Sequence, residues 1–128
     1  MSYFYQDEGK KIIKEELLTE DAKKKAELFA GRNMTRNQIR RFFHDVKSLE
    51  AKVGENGENF IRMKPIIMML KSKAAYAASR VGGQQRIPDE FKDFIEESVD
   101  NIKNFDDFKA FCLRFEAIVG FFYEKARR

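Results

Sequence analysis

"TRNQIRRFFHDVKSLEAKVG", residues 35–54, decides the fold. Its apolar residues Ile39, Phe42, Phe43, Val46, Leu49 and Val53 recur three and four apart, the spacing of one helix face. Thr35 followed by Gln38 matches a capping box, and Gly54 stops the pattern. The other side of this helix is mostly cationic. At about 100° per residue, Arg36, Arg40 and Lys47 fall within about 40° of one another. His44 lies at their edge, and Arg41 sits about 100° round from Arg40, toward the flank of the apolar stripe.

The flanking sequence reads as helix in both directions. "YQDEGKKIIKEELL" (5–18) suggests a first, weak helix, with Gly9 loosening residues 1–10. Thr19 is placed to cap a helix over "EDAKKKAELFA" (20–30), which Gly31 ends. "ENGEN" (55–59) is a turn. Pro65 then leaves two readings open: a short turn over 58–63 with the main helix starting at Pro65, or one kinked helix running through. Both keep residues 66–80 helical. "VGGQQR" (81–86) is a loop, and its Gly82–Arg86 part is a hinge candidate. Pro88 suits the first position of a helix over "PDEFKDFIEESVDNI" (88–102), and Asn104 is placed to cap the last one, from residue 105 onward.

Alternating apolar and polar runs are absent, β-branched residues are sparse, and no internal repeat marks a boundary. The expectation is an all-α fold, a compact bundle of five to six helices with short loops, forming a single domain over residues 1–128. With 43% apolar residues and 13 Phe, the chain can build a core. Eight Phe fall between Phe91 and Phe122; the first reading is that they are core, and the second is a surplus beyond what one small bundle can hide, left as apolar surface for partners or copies.

Charge is unevenly spread along the chain. The net charge is +4, yet residues 31–86 alone carry twelve Lys or Arg against four Asp or Glu. The segments on either side are net acidic. Concentrated cations attract polyanions over a distance of about 8 Å at physiological salt. A row of arginines along one helix face suits phosphates, because the planar guanidinium bonds two phosphate oxygens at once. A second cluster lies in "KPIIMMLKSKAAYAASR" (64–80), where Lys73, Tyr76 and Arg80 share one side and Lys64 and Lys71 another. Arg86 and the Gly-Gly loop add donors nearby, although "VGGQQR" matches no phosphate-loop pattern. The RNA-binding candidates are therefore Arg36, Arg40, Arg41, Lys47, Lys64, Lys71, Lys73, Tyr76, Arg80 and Arg86. The plainer account of each is a solvated face shielding the core.

Catalysis is hard to build here. His44 is the only histidine, and no carboxylate pair, nucleophile motif or metal-ligand cluster accompanies it, so neither enzyme activity nor a cofactor or metal is expected. Cys112 is alone in "FKAFCLRF", which excludes an internal disulfide and fits a reducing cytoplasm. No run of apolar residues is long enough to span a membrane, and the N-terminus lacks the order of a signal peptide. Three readings stay open from these residues alone: an RNA-binding subunit, a helix-turn-helix DNA-binding protein built on "AGRNMT" (30–35), and a structural adaptor whose basic surface meets an acidic protein.

Two segments narrow the choice. "MTRNQIRRFFHDVKSLE" (34–50), followed by "MLKSKAAYAASR" (69–80), resembles the small subunit of type III-A CRISPR effector (Csm) complexes, with its "t..QIRkfy..v" and "L.p.laYa.gR" stretches in that order. The resemblance covers residues 33–86. It implies a non-catalytic subunit of an antiviral RNA-guided complex. Several copies would stack along the crRNA–target RNA duplex, holding phosphates beside the large and backbone subunits. The positions it carries over are Arg40, Arg41, Phe42 and Phe43, then Lys73, Tyr76 and Arg80. Ser79 departs from the pattern, which often has Gly there. Self-association of adjacent copies is expected, and helix exchange through the Gly82–Arg86 hinge is a route to a homodimer in isolation.

Overall fold

The computed structural model describes residues 2–79 and 85–126. Five helices carry the fold: α1 (Glu20–Gly31), α2 (Arg36–Val53), α3 (Phe60–Ala78), α4 (Asp89–Asp100) and α5 (Phe105–Lys125). The all-α reading holds, with one small exception at the N-terminus. α5 packs against α1 and α2, and α3 packs against α4 and α2. The core between them is aromatic. Phe29, Phe42 and Phe115 each lie within 6.0 Å of the Phe91 ring, centroid to centroid.

The weak first helix does not form. In its place stand a short antiparallel hairpin, β1 (Tyr5–Asp7) with β2 (Ile12–Ile13), and one turn of 3₁₀ helix over Glu15–Leu18. Lys11 adopts a left-handed φ of 57°, which reverses the chain before two β-branched isoleucines. Phe4 is fully buried, and the Tyr5 hydroxyl donates to the main-chain carbonyl of Asp106 at the start of α5. Burial and the neighbouring Asp106 and Asp107 push the Tyr5 phenol up to about 12.

Local signals set most helix ends. Thr35 and Gln38 form the capping box, Gln38 N–H to Thr35 Oγ at 3.1 Å and Thr35 N–H to Gln38 Oε1 at 2.9 Å. The Asn104 side chain accepts from Asp107 N–H at 2.8 Å. Thr19 stands at the head of α1 as expected, but its hydroxyl donates backward to Glu15 and caps nothing. Gly31 belongs to α1; the left-handed residue that closes this helix is Asn33, φ 69°. Asn33 N–H bonds Ala30 O and Met34 N–H bonds Phe29 O, the paired bonds of a Schellman motif. Pro88 takes the N-cap position of α4, so the helix starts at Asp89, one residue later than expected.

Pro65 is now settled: α3 runs through it as one helix. Proline has no N–H, so the Ile61 carbonyl lacks its ordinary helical partner. Ile61 and Pro65 are both exposed, which puts that carbonyl within reach of water. Between α2 and α3, Gly54 (φ 93°) and Gly57 (φ 74°) turn the chain.

The Phe surplus is absorbed. Phe91, Phe94, Phe108, Phe111, Phe115 and Phe122 are buried, while Phe105 and Phe121 pack at the edge of the core. Exposed apolar surface lies mostly on α3, at Ile61 (82% exposed), Ile66, Met69 and Tyr76. The hinge expectation falls largely outside the described residues. No described helix is long and apolar enough to cross a membrane.

Candidate nucleic-acid interface

The apolar stripe of α2 buries Ile39, Phe42, Val46, Leu49 and Val53, which turns Asn37, Arg40, Arg41 and His44 to the outside. The cationic row expected there divides in two. Arg36 leans onto α5, where its guanidinium donates to the Tyr123 carbonyl and lies 5.2 Å from that ring's centroid. Lys47 leans the same way. Its ammonium meets Glu116 at 2.9 Å and Glu50 at 3.3 Å and lies 5.5 Å from the Phe43 ring centroid. The hydrogen bond to Glu116 raises the pKa of Lys47 above the ordinary lysine value. These two cations tie α2 to α5 and do not form one outward row with Arg40.

Arg40 and Arg41 differ from them. Arg40 Nη donates to Asn37 Oδ1 at 2.6 Å, and both arginines are exposed. Among the described residues neither pairs with a carboxylate. The contrast with Arg114 is sharp: that guanidinium is 4% exposed, pairs with Asp21 at 2.7 Å and donates to the Tyr3 hydroxyl at 2.8 Å. Arg114 is buried and paired with a carboxylate. Arg40 and Arg41 are neither.

The side of α2 that carries Arg41 faces α3. Two adjoining depressions lie there. Asn37, Arg40, Arg41, His44 and Asp45 line the first. Arg41, Phe42, Asp45, Ser72, Lys73 and Tyr76 are among those lining the second. Arg41 and Asp45, one helical turn apart, form the wall common to both. Together they make a groove with Arg40 at one end and Lys73 and Tyr76 at the other. Lys73 Nζ lies 3.5 Å from Asp45 Oδ2, with both side chains substantially exposed. Such a pair contributes under about 1 kcal/mol, so the ammonium can turn to a phosphate at little cost.

The remaining expected positions lie elsewhere. Lys71 points to α4 and pairs with Asp100, away from the groove. Lys64 is half-buried on that same side of α3. Arg86 is exposed, and its main-chain carbonyl accepts a bond from the Gln38 side chain at 3.4 Å. Arg80 lies outside the described residues. Reading cations alone missed Asp45 and Asn37; Asp45, four residues after Arg41 and at the same helical angle, was there to be noticed.

Chemistry beyond binding finds few groups. Among the described residues no three His, Cys, Asp or Glu are grouped to hold a metal. Cys112 is buried and unpaired, and its burial pushes the thiol pKa well above the usual cysteine range.

A family model described as Csm2 Type III-A matches residues 13–126. No curated protein and no solved structure matches the chain.

Proposed function

This chain belongs to the Csm2 Type III-A family, the small subunits of type III-A CRISPR complexes, and from that premise we propose that it holds the crRNA–target RNA backbone in the groove between α2 and α3. Arg40 and Arg41 supply the planar forks, Lys73 a mobile ammonium, and Tyr76 an aromatic face with a hydroxyl. One observation carries the reading: two exposed arginines without carboxylate partners among the described residues stand over a groove whose far end presents Lys73 and Tyr76. The role is non-catalytic. Base pairing supplies sequence, and a protein that reads only charge and backbone shape suffices to hold the duplex. Lys64 and Lys71 stand on the α4 side of α3, apart from this site, while Arg36 and Lys47 keep α2 seated on α5.

Arg40→Ala/Arg41→Ala tests this. Anisotropy titrations of a labelled RNA across a salt series should show the double variant about tenfold or more weaker at low salt. Its salt slope should fall by about 1.5, from two lost phosphate contacts. Equal affinity at every salt concentration rejects the assignment.

A second surface serves the assembly. Ile61, Pro65, Met69 and Tyr76 fall on one outward stripe of α3 at helical spacing, and apolar exposure of this kind suits a protein neighbour. We assign it to contact with adjacent subunits of the complex, copies of this chain included.

A further inference from the structure

Asp45 is out of place in a phosphate site. It stands in the wall common to both depressions, beside Arg41 and 3.5 Å from Lys73, where its charge repels every phosphate that enters. Nothing structural explains it well, because its one ion pair among the described residues is long and substantially exposed. A carboxylate is an acceptor only, and it needs a donor that comes with the ligand. Phosphates carry none. Ribose carries one at every nucleotide, the 2′-hydroxyl, and deoxyribose lacks it.

We infer that Asp45 accepts a hydrogen bond from a ribose 2′-hydroxyl and so makes the groove selective for RNA over DNA. The inference rests on the groove being the backbone site argued above. Arg41 and Lys73 flank the carboxylate, so phosphates on either side of one ribose are held while the hydroxyl between them meets Asp45. Without a hydroxyl, the same carboxylate faces phosphates with nothing to accept, and the ligand is repelled. Attraction and repulsion thus act in the same direction, toward RNA.

The experiment uses the full chain with three strands of one mixed sequence: RNA, 2′-fluoro RNA and DNA. The fluoro strand keeps the RNA sugar pucker and loses the donor, which separates hydrogen bonding from shape. Wild type should bind RNA about tenfold tighter than the fluoro strand, the size of a charge-assisted hydrogen bond. Asp45→Ala should bind the fluoro and DNA strands tighter than wild type does and bring the RNA-to-fluoro ratio close to one. Asp45→Asn keeps an acceptor and should retain part of the ratio. A wild-type ratio of one, or an Asp45→Ala variant that keeps the wild-type ratio, overturns the role of Asp45. Failure of the underlying site has a different signature, in which Arg40→Ala/Arg41→Ala leaves binding of all three strands unchanged.

Discussion

α2 and α3 lie side by side, are of nearly equal length, and both show one face to solvent, yet those faces have opposite chemistry. Outside, α2 carries Asn37, Arg40, Arg41 and His44. α3 carries Ile61, Ile66 and Met69, with Tyr76 near its end. The difference shows where each face can go. Cations that give up water for phosphate recover charge-assisted hydrogen bonds, whereas an isoleucine gains only by meeting another apolar surface. On the proposed function, two adjacent helices divide the work, one face for the polyanion and the other for proteins. Lys73 and Tyr76, at the C-terminal end of α3, are where the two kinds of surface meet.

The most severe way to break this arrangement is at the turn joining the helices. Gly57 has φ 74°, and a Cβ there would stand 2.4 Å from the Phe105 ring at the head of α5. Gly57→Ala should cost about 2–4 kcal/mol in chemical denaturation, because strained backbone and a core clash add. Next comes the α3 stripe. Ile61→Glu/Met69→Glu should abolish co-purification with the other subunits, leave RNA binding by the isolated chain unchanged, and move stability by under about 0.5 kcal/mol. The arginine double variant gives the reverse pattern, RNA binding weakened and co-purification kept. If each pair of substitutions damaged both readouts equally, the division of labour between the faces would be wrong. The smallest effect belongs to Lys47→Ala. Its bonds to Glu116 and Glu50 are half-exposed, so denaturation should register a loss of under about 1 kcal/mol, with RNA affinity little changed. Because pairing raises the Lys47 pKa in the folded state, its contribution is complete below the ordinary lysine pKa and fades as pH rises through the folded value.

These contrasts were unevenly legible in the sequence. α2 could be read almost to the residue, because a capping box, a six-residue apolar stripe and a terminal glycine are all local. The N-terminal hairpin could not. Its strands span three and two residues, and what holds them is distant: Phe4 in the core and Tyr5 on Asp106. For the site, an angle around α2 put Arg36, Arg40 and Lys47 on one arc but could not tell which flank α5 would occupy. That neighbour takes Arg36 and Lys47 and leaves Arg40. The first reading of the phenylalanines, as core, held, and the alternative of an aromatic excess did not. The rings pack mostly on each other in edge and tilted pairs, so the apolar surface left over is aliphatic and belongs to α3.

Pro65 has one more effect. By withholding an amide from Ile61, it removes the ordinary helical partner of that carbonyl in the first turn of α3, beside the exposed Ile61 side chain. A subunit that settles over Ile61 strips water from that oxygen and must bring an N–H, an O–H or a trapped water of its own to replace it. On the proposed assignment of this stripe to subunit contact, a neighbour with a donor at that point is favoured over one that is apolar throughout.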